Sequence, residues 1–358
     1  MEKKLVSVSE KKALFIGKRQ ITSYVFNEVV DECEEVIILA SDDALVWYNK
    51  ETGQEIIRVE NFKNYDYTDR GIIVNIEGRY SLYSLDGIVL LHNYAYIEKD
   101  GRYFIIEEEE KKGLYDANKK EQIIATDFTD ITIESDYILV TQDGKKGVCL
   151  LDGTKVVPVI FKDIRVEYTF DNILFVVMSE AGERGVYSFE GEKIVPVACN
   201  TITFFGERYI IASTKRGYNI FTTAGELLQA DAIYYKQLNV KVLIVGKDKK
   251  TAYSLRKHEK ILSGVTEIID FKCMLLVLND NKLGLYSYDG KELLPCEYNF
   301  ITETIYPGIL RLNRKGKISF YMVRDKKVIE ADDVKINNDN SGVMFMIDGS
   351  WHKYAEIK

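Results

Sequence analysis

Proline, histidine and tryptophan are scarce in this 358-residue chain, at 4, 3 and 2 residues, and each shortage narrows what the protein can be. Catalysis by a Ser/His/Asp set or a Cys/His pair needs a base, and only His92, His258 and His352 are present, none in a recognisable motif. His92 lies in an aromatic strand context and His258 in a charged turn, so structural or solvated roles are expected for both. The five cysteines, Cys33, Cys149, Cys199, Cys273 and Cys296, are odd in number and far apart, without a Cys-x-x-Cys pair. That spacing argues against a disulfide framework and for buried, reduced thiols. No apolar run approaches the roughly 18 residues of a membrane helix, and the start, Met1 to Val8, has no leader-like apolar core. No membrane insertion and a cytoplasmic location are therefore expected, or an extracellular or envelope location if a leader has been removed.

Excess positive charge is missing too. Lys and Arg number 48 against 56 Asp and Glu, a formal net charge of −8, which opposes the phosphate attraction behind nucleic-acid binding. Phosphate-cradling Gly-x-Gly-x-x-Gly and Gly-x-x-x-x-Gly-Lys-[Ser/Thr] strings and the zinc signature His-Glu-x-x-His do not occur, so neither a cofactor nor a metal is expected. A calcium-like string, Asn337 to Gly342 with Asp348 at the twelfth place, has a neutral first ligand and Asp in place of the final Glu, and reads as a plain hairpin turn. No segment keeps an amphipathic helical period. Glu107-Glu108-Glu109-Glu110 followed by Lys111-Lys112 reads as a solvated turn.

What the chain does have is a repeat. An anchor recurs at Phe15, Tyr48, Tyr83, Tyr115, Cys149, Tyr187, Asn219, Tyr253, Tyr286, Tyr321 and Tyr354, ten intervals of about 34 residues each. Glycine stands two residues before it at Gly113, Gly147, Gly185, Gly217 and Gly284, and four after it at Gly87, Gly153, Gly191 and Gly290; turns are expected at both places. Pro158, Pro196 and Pro295 fall nine residues after their anchors, where a missing N–H suits a strand edge or end, and the second strand is expected to stop there. Two further short apolar runs complete each period, as in Ile202 to Phe205 and Tyr209 to Ala212, so the unit is four short strands.

In sequence order the units run 11–43, 44–78, 79–112, 113–146, 147–184, 185–216, 217–250, 251–282, 283–317 and 318–350, with terminal strands at 1–10 and 351–358. Units of this kind must pack on their neighbours. The expected fold is all-β, a single repeat domain forming a β-propeller of about ten small blades, with the end strands sharing one blade. An open β-repeat array and two smaller propellers are the alternatives.

The phase Gly-[aromatic or aliphatic]-Tyr, acidic-Gly turn, Lys-x-aliphatic-aliphatic-Pro, Pro-x-x-aromatic, seen in Gly147 to Phe161, Gly185 to Pro196 and Gly284 to Tyr298, resembles the bacterial WG repeat family, also called KWG repeats. The likeness is strong from about residue 113 to 320. Three residues before the anchor, where that family carries its signature Trp, this chain has Lys112, Lys146, Arg184, Arg216 and Leu283, and only Trp351 keeps the residue. The resemblance implies a divergent member and supplies no catalytic residues. The resulting expectation is a monomeric, non-catalytic binding or scaffold protein contacting protein, peptide or glycan. A carbohydrate-active enzyme with carboxylates in a central pocket and a surface or envelope repeat protein are the alternatives.

Overall fold

A computed structural model describes residues 3–357 apart from 9, 24, 207, 240, 258 and 337–341. Among the described residues its regular secondary structure is all strand, save a single 3-10 turn at Tyr354–Glu356. The strands form eleven successive antiparallel sheets, nine of four strands and two of three. In order they span 3–20, 28–60, 62–94, 96–128, 130–161, 163–199, 201–232, 234–265, 267–298, 300–330 and 333–353; they are called the first to the eleventh sheet below. The tandem four-stranded all-β organisation is as the repeat predicts.

The phase of the unit differs from the sequence reading. The fifth sheet pairs Asp130–Ile133, Tyr137–Gln142, Lys145–Leu150 and Lys155–Phe161 in simple sequential order. Its anchor, Cys149, lies on the third strand, whereas the units as read start at the anchor strand. Periodicity gives spacing but not phase: both possible breaks fall at short turns. The true break is the shorter, because a single residue separates consecutive sheets at Ala95, Thr129, Asn200, Ile233, Thr266 and Asn299. The N–H of each is satisfied by a carbonyl closing the next sheet's second strand, for example Thr129 N to Thr141 O at 2.7 Å and Asn299 N to Asn313 O at 2.7 Å.

The chain also forms two compact units, Met1–Ile164 and Arg165–Lys358. Within each unit the core lies between neighbouring sheets. In the first, Leu114, Ile124 and Phe128 of the fourth sheet meet Ile131, Ile138, Val140 and Cys149 of the fifth. In the second, Val176, Val186 and Val195 of the sixth meet Ile202, Ile210 and Phe221 of the seventh.

Strand alternation explains the anchor. Tyr83 packs on the second sheet, Tyr115 on the third, Tyr253 on the seventh and Tyr321 on the ninth, each the sheet before its own. The residue before the anchor points the other way: Leu82, Leu114, Ile220, Ala252 and Leu285 each join the sheet that follows. In the third, fourth and eighth sheets two adjacent side chains of the third strand thus fasten a sheet to both neighbours.

The glycine two before the anchor is not in a turn at Gly113, Gly147, Gly185 or Gly284. Each sits in the third strand, facing a bulge in the fourth: Lys146 pairs with Phe161 and Val148 with Val157, so Gly147 alone opposes Pro158, Val159 and Ile160. A Cβ on Gly147 would stand 2.9 Å from Val157 O and 2.6 Å from a Val159 methyl; the bulge needs the bare backbone. The turn reading holds four residues after the anchor, where Gly153 has φ +91° and closes the hairpin onto Leu150 O. The prolines do not end their strands either. Pro158, Pro196 and Pro295 lie inside Lys155–Phe161, Lys193–Cys199 and Glu292–Tyr298, which are edge strands, and the bulge absorbs the missing donor.

Candidate functional site

In a four-stranded meander the first and third turns share one edge of the sheet and the second turn lies at the other. Along the second unit the shared edge carries the first turns of the sixth to tenth sheets, which include 169–172, Gly206 and Arg208, Asn239 and Lys241, 272–273 and 304–308, with the third turns at the same end of each sheet. Among the described residues the most exposed large apolar side chains are here: Ile305 at 86%, Phe170 at 75% and Tyr168 at 63%.

These tips are pinned rather than loose. Thr169 Oγ1 donates to Asn172 O at 2.9 Å and accepts the Asn172 N–H at 3.2 Å. Arg208, on the seventh sheet, lies 5.6 Å over the Phe170 ring and pairs with Asp171 at 3.0 Å. Thr304 Oγ1 donates to Ile309 O at 2.9 Å and accepts the Tyr306 N–H at 3.1 Å, holding Ile305 outward.

Two cavities open between tips on this edge. One, of about 340 Å³ between the eighth and ninth sheets, is lined by Lys241, Ser254, Arg256, Lys257, Tyr288 and Asp289. Asn239 Nδ2 donates to the Tyr288 hydroxyl at 2.6 Å, and that hydroxyl donates to Asp270. Lys241 Nζ stands 5.3 Å above the ring. Desolvation, helped by the bond to Asp270, raises the Tyr288 pKa, while the Ser287 hydroxyl holds the Asp289 carboxyl below its usual range. The other cavity, of about 380 Å³, lies between the ninth and tenth sheets, with Met274, Ile305, Tyr306 and Val323 on its apolar walls and Lys272 and Glu303 at its rim, paired at 3.1 Å.

The cations at the signature-Trp place serve a different purpose. Lys112 reaches Asp130 at 3.0 Å, Lys146 reaches Asp163 at 2.6 Å, and Lys250 pairs with Glu267. Each bond runs from a third strand to the first strand of the next sheet, a latch rather than a binding surface. Trp351 itself lies under Lys335, whose Nζ is 4.0 Å from the ring centroid.

The remaining candidates fall to structural roles. His92 Nδ1 is 3.3 Å from Ser81 Oγ, but that oxygen also accepts the Asn93 N–H at 3.1 Å, so the pair sits within a bulge. His258 and residues 337–341 of the calcium-like string lie outside the described residues. Among the described residues, no group of three or more His, Cys, Asp and Glu is placed to hold a metal. Glu109 and Glu110 form the turn expected of the acidic run, both at positive φ, while Glu108 pairs with Arg79 at 2.7 Å. All five thiols are free, but the expectation that all are buried is corrected: Cys149 and Cys199 are buried, Cys296 is partly covered, and Cys33 and Cys273 are exposed. Both exposed thiols sit in first-turn tips, where no neighbouring sheet covers them. Glu330, Asp332 and Asp348 line a polar concavity at the opposite edge, but all three are exposed.

Sequence reasoning missed Tyr168, Phe170, Ile305 and Arg256. For Tyr168 and Phe170 the available signal was the longest step of the repeat, 38 residues from Cys149 to Tyr187, which contains the enlarged sixth-sheet hairpin.

The fold defines an all-β protein of tandem antiparallel sheets. No family model and no curated protein matches the chain. Among solved structures it is similar to a eukaryotic initiation factor (8% identity, 80% of this chain, 94% of that one, TM-score 0.25). It is also similar to BamB from Moraxella catarrhalis (14%, 70% and 91%, TM-score 0.21) and to the Pan2 WD40 domain of Neurospora crassa (9%, 60% and 83%, TM-score 0.19). At these identities and TM-scores, function rests on this chain's own residues. No helix among the described residues is long and apolar enough to cross a membrane.

Proposed function

We propose that this chain is a non-catalytic binding or scaffold protein that contacts a protein or peptide through the turn edge of its second unit. One observation carries the reading: Tyr168, Phe170 and Ile305 are strongly exposed on turns that hydrogen bonds already hold in place. Exposed apolar groups on preordered backbone lower the ordering cost of association and have no core to fill. The net charge of −8 speaks against nucleic acid as the partner.

The test is selection of a random peptide library on the full chain, followed by measurement of the recovered peptides on a Tyr168→Ser, Phe170→Ser, Ile305→Ser triple variant. Recovered binders should lose about tenfold or more in affinity, on the scale of losing more than one apolar contact. Recovery of no binder, or binders indifferent to the three substitutions, overturns the reading.

A further inference from the structure

We infer that the cavity between the eighth and ninth sheets takes the carboxylate of an Asp or Glu side chain, and that the cavity between the ninth and tenth takes an aliphatic side chain of the same extended peptide. This rests on the binding reading above and names the chemistry of its partner. The first cavity concentrates cations on an anionic chain: Lys241, Arg256 and Lys257 line it against a single acid, Asp289. Asp270, beside the cavity, accepts from Asn239 and Tyr288, Asp289 accepts from Ser287, and Glu259 is ion-paired at 3.6 Å with Lys257, one of the three cations. Arg256, by contrast, is exposed and makes no hydrogen bond or ion pair among the described residues.

A guanidinium at the lip of a concavity is a bidentate receptor for a planar carboxylate. The Tyr288 ring, fixed through its hydroxyl by two partners, supplies a wall against which the methylenes of the acid can pack.

The second cavity is the next one along the same edge, and its walls, Met274, Ile305, Tyr306 and Val323, are apolar. Its two charges, Lys272 and Glu303, neutralise each other at 3.1 Å, leaving an aliphatic group as the matching occupant. Packed sheets lie about 10 Å apart, and a peptide extended as polyproline II rises about 3.1 Å per residue with three residues per turn, so acid and aliphatic residue should stand about three positions apart, on the same face. The recognised pattern is acid-x-x-aliphatic.

Fluorescein-labelled octapeptides carrying Glu-x-x-Leu, Gln-x-x-Leu, Lys-x-x-Leu and Glu-x-x-Ser, titrated against the full chain by fluorescence anisotropy, test this. The Glu-x-x-Leu peptide should bind about tenfold more tightly than the Gln peptide, as a charge-assisted contact implies, and also more tightly than the Glu-x-x-Ser peptide. Arg256→Glu with Lys257→Glu changes two exposed turn residues and should shift the preference to the Lys peptide, a gain that misfolding cannot mimic. Equal binding of the Glu and Gln peptides, or an unchanged preference in the double variant, overturns the inference. If the library yields tip-dependent binders without an acid, the binding reading survives and this inference fails; if it yields none, the binding reading has failed first.

Discussion

At the residue scale the recurring device is a glycine that makes room. Gly185 faces the bulge of the sixth sheet, and a Cβ there would stand 2.8 Å from Val195 O and 2.7 Å from a Val197 methyl. Gly185→Ala should therefore cost about 1–3 kcal/mol, as overpacking does, read as a lower urea midpoint at unchanged slope. A stability within a few tenths of a kcal/mol of the parent would show that the bulge yields. Thiol chemistry gives a second check. Burial pushes the Cys149 thiol up to about 11, so it stays protonated and shielded at neutral pH, whereas Cys33 and Cys273 are exposed. Brief alkylation of the folded protein followed by peptide mass mapping should mark Cys33 and Cys273 and spare Cys149 and Cys199; early labelling of Cys149 would contradict its placement. The positions of these glycines, prolines and cysteines could all be read from the sequence, but their purposes could not. A strand glycine opposite a bulge and a turn glycine leave the same letter at the same period, and only the pairing partner separates them.

At the scale of the element, the third strand holds the array together by sending successive side chains to opposite neighbours. Tyr115 is 4% exposed and packs on Ile73, Leu82 and Leu91 of the preceding sheet. Tyr115→Ala should open a cavity there and cost about 3–5 kcal/mol. Tyr354 lies at the end of the last sheet and is only partly buried, with its ring 6.1 Å from Phe345, so Tyr354→Ala should cost distinctly less. Denaturant unfolding of the two variants tests the contrast; equal losses would mean that the terminal anchor is as enclosed as the internal one. The period was legible because this packing places a bulky aromatic group at the anchor of most sheets. The phase was not, since a break after the anchor hairpin and a break before it produce the same spacing. The turn-edge site was least legible of all: its residues come from separate periods, and nothing in a linear pattern marks which tips become neighbours.

At the scale of the whole molecule, the acid limb of stability should be set by many small contributions. Hydrogen bonds from Lys11 to Asp42, Lys99 to Asp69, Arg79 to Glu108 and Lys146 to Asp163 hold these carboxyls below their usual range. A group whose folded pKa is depressed adds stability that is fully present above its unfolded value, about 4, and disappears as pH falls through the folded value. Melting temperature should therefore decline below about pH 4, and more gently in 1 M salt, which screens exposed pairs. An acid limb indifferent to salt would put the loss elsewhere. The single-residue joints between sheets have a consequence at this scale too. A segment running from one joint to the next carries its own pairing, its own half of two cores and the same link at each end. Copying such a segment within a gene adds a whole sheet without a new linker, and excising one leaves the same splice. The length of the turn edge is thus open to inheritance in whole steps, and a lineage can lengthen or shorten its contact surface without inventing a loop.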